Sequence, residues 1–139
     1  FYEKGFWGHN GAFTREQVQV PMVIRAPGMA PATYSKLTGH TDIAATLMEQ
    51  IFGVQNPPNH YSLGANMFSD APVPFQVSCS WDECALLDDT GWFVFGTTSH
   101  KALHWELRDK NYEPIKDQND GTSLNSKHYT NLLQNISRF

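Results

Sequence analysis

A histidine among glycines near the start of the chain is the leading candidate for chemistry. His9 lies in a loop rich in turn-forming residues, between Gly8 and Gly11. An imidazole in such a loop can donate a proton to a leaving group or contact an anionic substrate oxygen. Arg15 follows and could bind the same kind of anion. The alternatives are that His9 hydrogen-bonds the loop together and that Arg15 is solvated or ion-paired.

A second pair of polar side chains flanks a predicted helix start. His40 and Asp42 could bind a metal, but capping and packing are favoured, because an aspartate in the first turn suits the positive end of a helix. The remaining histidines lack ligand spacing and are interpreted as surface or hydrogen-bonded residues: His60, His100, His104 and His128. No metal site is therefore expected within this chain.

The two cysteines, Cys79 and Cys84, flank a connection of polar residues and one tryptophan. A connection of this length between two short strands can bring their Cβ atoms close enough for a disulfide. The alternative is two unrelated buried thiols. A zinc site needs further ligands, so this cysteine pair alone is weak evidence for one.

Length and charge limit the class of protein. The chain has 139 residues, which suits a single domain over residues 1–139. Its net charge is -4, and its 10 basic and 14 acidic residues are well mixed, which argues against a nucleic-acid surface. No apolar run approaches the length needed to cross a bilayer, so no membrane segment is expected in this chain.

Apolar spacing predicts the elements that position these side chains. A nearly continuous apolar run over 18–25 predicts a buried central strand. A helix over 42–52, capped by Thr41 and ended by Gly53, is predicted to bury Leu47. A terminal helix is predicted over 126–138. Four short runs separated by turn residues predict an antiparallel meander: Phe75–Cys79, Cys84–Leu87, Trp92–Thr97 and Ala102–Leu107.

Two blocks carry a resemblance to a known family. Residues 17–28 read QVQVPMVIRAPG, and residues 37–47 read LTGHTDIAATL. Their order and spacing resemble the sulfatase family of the alkaline phosphatase superfamily. The pattern after residue 70 is similar to inner-membrane sulfatase-like proteins, which have a periplasmic hydrolase-like domain and take part in outer-membrane lipid homeostasis.

The resemblance implies the C-terminal part of an alkaline-phosphatase-like fold. That fold is α/β as a whole and α+β in this part, with a short antiparallel meander and two main helices. Residues 1–70 correspond to the end of the catalytic core, and residues 71–139 to the strands and terminal helix. The implied location is the periplasmic side of a bacterial inner membrane, with a membrane anchor upstream.

The implied function is metal-dependent hydrolysis of a sulfate or phosphate ester, with His9 as the residue that contacts the substrate anion. The nucleophile and the ligands of the divalent metal are expected upstream, so this chain is predicted to hold no cofactor and to be inactive on its own. The alternative is a periplasmic module that catalyses nothing and binds an envelope lipid or a protein partner.

Overall fold

The structure, a computed structural model, describes residues 2–5, 7–8, 12–101, 103–115, 130 and 133–134. Two helices, α1 (Arg15–Val18) and α2 (Thr41–Gln50), precede four strands. Short 3-10 turns occupy Glu3–Gly5 and Pro58–His60. The strands are β1 (Gln76–Cys79), β2 (Glu83–Leu87), β3 (Trp92–Gly96) and β4 (Trp105–Arg108). The chain is therefore of mixed α and β structure, as predicted, and the predicted terminal helix over 126–138 lies largely outside the described residues.

The strands form an antiparallel meander, which confirms that part of the predicted fold class. Their order in the sheet is β1-β2-β3-β4, so each strand pairs with the next along the chain. The register opposes Cys79 to Cys84, Ala85 to Val94, and Val94 to Glu106. Consecutive antiparallel strands need only short connections, and turn residues such as those at 88–91 supply them.

The fourth strand begins later than predicted. Residues 97–104 form a looped connection, in which Lys101 N–H donates to the Thr98 carbonyl at 3.0 Å and His104 N–H to the Lys101 carbonyl at 2.8 Å. Gly96 N–H then donates to the His104 carbonyl at 2.9 Å, and β4 starts at Trp105. The apolar residues of this stretch led to a predicted strand start that is too early. The backbone here forms hydrogen bonds within the connection rather than across the sheet.

A hydrophobic cluster lies on one face of the meander, and Leu86 and Leu107 are buried on the opposite face. In the cluster, Ala85, Trp92 and Val94 are buried against Phe13 from the N-terminal segment. The Arg108 guanidinium donates to the Phe13 carbonyl at 2.7 Å, which ties the start of the chain to the last strand. Helix α1 follows Phe13 directly, so this contact positions α1 and its Arg15 over the sheet.

The predicted central strand over 18–25 is wrong. Residues 15–18 form helix α1, and residues 19–25 have no helix or strand structure. Apolar side chains in this segment are exposed, with Val23 at 94% and Val20 at 51%. A strand needs a neighbouring strand for its backbone hydrogen bonds, and the strands found among the described residues all pair within the meander. The apolar run alone could not supply that neighbour.

Helix α2 confirms the predicted helix but turns a different face inward. Its buried residues are Asp42, Ala45 and Thr46, while Leu47 is 40% exposed. Thr46 Oγ1 donates to the Asp42 carbonyl at 2.7 Å and accepts from Met67 N–H at 2.9 Å. These hydrogen bonds hold the polar face against the following loop, so the predicted burial of Leu47 is wrong.

We therefore expect Leu47→Ala to lower the free energy of unfolding by less than about 1 kcal/mol, because a side chain left partly in water loses little on truncation. Ala45→Leu is the matched test of the buried face. Ala45 has no exposed area, so the larger side chain should cost about 1–3 kcal/mol through overpacking. Urea unfolding of both variants measures the two effects. A larger loss of stability for Leu47→Ala than for Ala45→Leu would show that Leu47 is part of the core.

Candidate functional site

An open groove of about 1450 Å³ lies on the surface of the described residues. Segments within 15–22 and 34–41 supply part of its lining, and segments within 72–78, 87–92 and 110–112 supply the rest. The groove therefore lies between the N-terminal segment, the start of α2 and the β1 side of the sheet. Its lining mixes cationic side chains with apolar ones such as Val20, Met22 and Leu37.

Arg15 lines this groove, whereas the placement of the other sequence-predicted site residue is not described. Arg15 is exposed, and its Nε donates to Gln19 Oε1 at 2.9 Å, which leaves the rest of the guanidinium available to an anion. His9 lies outside the described residues.

Two further basic side chains line the groove that sequence reasoning did not single out. Lys36 donates through Nζ to the carbonyls of Asn66 and Ser69, so its charge also fastens the loop that follows α2. Lys110 lies at the other side of the groove, next to Tyr112. No motif marks these lysines, and only the fold brings residues 36 and 110 to the same groove.

Tyr112 connects the groove to the core. Its ring packs against Trp92 with centroids 5.0 Å apart. Burial raises the pKa of the Tyr112 hydroxyl above its ordinary value, the nearby Arg15 charge opposes that rise, and Glu16 adds to it. The tyrosine therefore remains neutral and can serve as a hydrogen-bonding wall of the groove at physiological pH.

Asp42 fixes the wall of the groove at the start of α2. This carboxylate has no exposed area, and it accepts hydrogen bonds from Gly39 N–H at 2.9 Å, Ala65 N–H at 2.8 Å and Gln76 Nε2 at 2.8 Å. It thereby joins the helix to the following loop and to β1. This arrangement matches the structural interpretation of Asp42. Thr41, the predicted cap of the helix, is instead its first residue.

His40 occupies the N-cap position of α2, and its side chain makes no capping hydrogen bond. Among the residues that the structure describes, no three His, Cys, Asp or Glu side chains lie together in a way that could hold a metal ion. The described residues thus offer no set of ligands for a divalent metal.

The opposite end of the sheet is held together by a disulfide and ion pairs. Cys79 and Cys84 are joined by a disulfide across the β1-β2 hairpin. Lys101 Nζ lies 3.2 Å from both Asp82 Oδ2 and Glu83 Oε1, and His104 Nε2 lies 3.2 Å from the same Glu83 oxygen. These contacts fasten the connection between β3 and β4 to the hairpin.

The Lys101 ion pairs predict a pH dependence of stability. Hydrogen bonds first to Glu83 and then to Asp82 raise the pKa of Lys101 above its ordinary 10.5. A raised pKa means that this stabilisation is present below pH 10.5 and is lost as the pH rises through the higher folded pKa. Denaturant unfolding should therefore show stability falling above pH 10.5, and Lys101→Met should reduce that fall.

Tyr112 has a raised pKa and contributes a fall of the same sign, so Tyr112→Phe serves as the control. The double variant Lys101→Met with Tyr112→Phe should show the smallest change of stability over this range. An unchanged pH profile in Lys101→Met would contradict a stabilising role of these exposed ion pairs.

No family model matches the chain. The similarity found is to bacterial inner membrane proteins, and it covers most of this chain but a small part of each relative. No helix in the described part of this chain is long and apolar enough to cross a membrane.

The particular relatives are named YejM. The chain is 33% identical over 118 residues to the inner membrane protein YejM of Salmonella typhimurium, and equally to that of Salmonella typhi. Each match covers 81% of this chain and 19% of the relative. An uncharacterized protein of Haemophilus influenzae is 36% identical over 56 residues, covering 40% of this chain and 10% of that protein. The chain is thus similar to the YejM type of inner membrane protein, which confirms the predicted resemblance to that type of inner-membrane protein.

Proposed function

We propose that this chain is the C-terminal portion of a sulfatase-like, alkaline-phosphatase-like hydrolase domain of the cell envelope. In this proposal His9 and Arg15 hold the anionic group of a sulfate or phosphate ester. The nucleophile and the ligands of a divalent metal lie in the remainder of the longer protein. The observation that carries the proposal is the 33% identity to YejM over 118 residues. The sulfatase-like blocks at 17–28 and 37–47 support it.

Exposed apolar surface supports the assignment to a larger domain. Val23 is 94% exposed, and Ile51 and Phe52 at the end of α2 are 60% and 68% exposed. Large apolar side chains that are this exposed are typical of surfaces that contact another part of a protein. The remaining polypeptide of an envelope hydrolase domain would cover them.

The disulfide supports a periplasmic location. Cys79 and Cys84 are bonded, and disulfides form and persist in oxidising compartments such as the bacterial periplasm rather than in the cytosol. Together with the similarity to inner membrane proteins, the disulfide supports the proposed location on the periplasmic side of the inner membrane.

Turnover of aryl sulfate and aryl phosphate esters tests the proposal. The full-length protein should hydrolyse one of them with added zinc, manganese, magnesium or calcium. The 139-residue chain alone should not, because it lacks the proposed nucleophile. His9→Ala in the full-length protein should lower kcat/KM by about 10²-fold, the usual contribution of a positioned acid or base. Arg15→Ala should mainly raise KM.

Arg25→Ala is the matched control, since Arg25 is exposed and does not line the groove. It should leave both kcat and KM unchanged. Turnover by the 139-residue chain itself would contradict the proposed division of the site. If His9→Ala leaves the activity of the full-length protein unchanged, His9 is not part of the site.

A second candidate is a module without catalysis that binds envelope lipid or a protein partner. The observation that favours it is the groove lining, where apolar side chains such as Tyr34 and Met22 lie with cationic Arg15 and Lys110. The residues preceding this chain in the full-length protein distinguish the two candidates. A Thr, Ser or Cys nucleophile with an Asp-His pair favours the enzyme, and their absence favours the binding module.

A further inference from the structure

The first strand of the sheet has a free edge. Among the strands of the described residues, β1 is outermost and pairs with β2 alone. Ser80 N–H donates to the Glu83 carbonyl at 2.8 Å, which makes residues 80 and 83 a hydrogen-bonded pair. Hydrogen-bonded pairs alternate along an antiparallel ladder, so Gln76 and Ser78 bond to β2. The backbone N–H and C=O groups of the intervening Val77 therefore point away from the sheet.

These outward groups of Val77 face the groove. Val77 and its neighbours Gln76 and Ser78 line it. Within the described ranges, no hydrogen bond is found to the backbone of Val77 on this side. An unpaired strand edge is a template for another extended chain, and peptide recognition by strand addition uses such edges.

The charge of the groove selects the kind of chain. Three basic side chains line it, Arg15, Lys36 and Lys110, against the two acidic side chains of Asp88 and Asp89. This positive excess occurs in a chain whose net charge is -4. A positive groove in an acidic protein attracts a ligand of negative charge.

We propose that the groove binds an extended acidic peptide segment of a partner protein, which pairs with the outer edge of β1 as an added strand. The Val77 backbone provides the hydrogen bonds, Arg15 and Lys110 provide charge complementarity, and Leu37 and Val73 provide apolar contacts for alternate side chains of the peptide. This interaction shares Arg15 with the proposed ester site but requires no hydrolysis, because the Val77 backbone and Lys110 lie outside that site's proposed residues.

The probe is a fluorescent peptide of about ten residues that alternates valine with glutamate, a length typical of one strand and its flanks. The matched control peptide alternates valine with lysine. Anisotropy titration of the full-length protein at fixed ionic strength should show binding of the acidic peptide only. Amide hydrogen exchange should show the Val77 N–H becoming protected when that peptide binds, because strand addition gives it a carbonyl partner.

Val77→Pro removes the outward N–H without removing a ladder bond to β2, so the sheet should persist. It should weaken the acidic peptide about tenfold, the effect of one net hydrogen bond. Val77→Ala is the control, because it truncates the side chain and keeps the N–H. Since a proline variant can fail to fold, an acidic peptide N-methylated at alternate residues provides a second test that leaves the protein unchanged. It should also bind about tenfold more weakly.

Equal affinity for acidic and basic peptides, or an unprotected Val77 N–H in the complex, would overturn the proposal. Two other occupants are also distinguished. Protection of Val77 that grows with protein concentration in the absence of peptide would assign the edge to a second copy of this chain. Protection on adding vesicles of phosphatidylglycerol, without any effect of the peptide, would assign the groove to a lipid surface. Either result would contradict the peptide assignment.

Discussion

Replacement of Asp42 by alanine should lower the free energy of unfolding by about 3–5 kcal/mol, because hydrogen bonds to a charged group contribute about 1.5–3 kcal/mol each and buried donors left without an acceptor are costly. The carboxylate is fully buried and accepts from Gly39 N–H, Ala65 N–H and Gln76 Nε2. Removing it leaves three donors, two of them backbone, without their acceptor. Urea unfolding followed by circular dichroism measures the loss.

Two further variants show whether the loss of stability comes from the hydrogen bonds of the buried carboxylate. Asp42→Asn keeps the shape of the side chain but loses one acceptor oxygen, so its effect should lie between those of the wild type and Asp42→Ala. Asp70→Ala removes an exposed aspartate and should change the stability by less than about 0.5 kcal/mol. Equal effects of Asp42→Ala and Asp70→Ala would show that Asp42 is not a structural centre of the fold.

The meander could be predicted from the sequence because its information is local. Each strand pairs with its neighbour in the chain, and turn residues such as those at 88–91 separate the apolar runs. Asp88 Oδ1 accepts from Thr90 N–H at 2.7 Å and from Gly91 N–H at 3.2 Å, a turn encoded within a few residues. No long-range choice was needed to place these strands.

The buried face of α2 could not be predicted by the same reasoning. Apolar periodicity ranks side chains by hydrophobicity, and it favoured Leu47 over Thr46. Thr46 is buried because its hydroxyl bonds the Asp42 carbonyl and the Met67 amide, and Met67 lies in a loop whose position is set by tertiary structure. A polar residue that finds hydrogen bonds can be buried at the expense of an apolar one.

The candidate site likewise contains some features that the sequence predicts and others that it does not. Arg15 could be singled out from its residue type and its place in a loop. Lys110 and the outward Val77 backbone could not, because the first carries no motif and the second depends on strand order and register. Only the folded sheet shows which backbone groups remain unpaired at an edge beside a groove.

Tryptophan offers a matched pair for measuring the core directly. Trp92 is 4% exposed and packs with Phe13 and Val94, whereas Trp81 at the tip of the β1-β2 hairpin is 85% exposed. Trp92→Ala should lower the free energy of unfolding by about 3–5 kcal/mol, since it leaves a large cavity in a close-packed core. Trp81→Ala should change it by less than about 0.5 kcal/mol, because the side chain is mostly in water already.

The same pair separates core packing from a general effect of removing an aromatic residue. The Tyr112 ring packs against Trp92. Trp92→Ala should therefore abolish the near-ultraviolet circular dichroism of this aromatic cluster. The fluorescence of the remaining tryptophans should change little. Trp92→Phe should recover much of the stability, because a phenylalanine ring fills part of the cavity and keeps an aromatic contact with Tyr112. Comparable losses for Trp92→Ala and Trp81→Ala in urea unfolding would contradict a core built on this face of the sheet, and with it the placement of α1 and Arg15 over the groove.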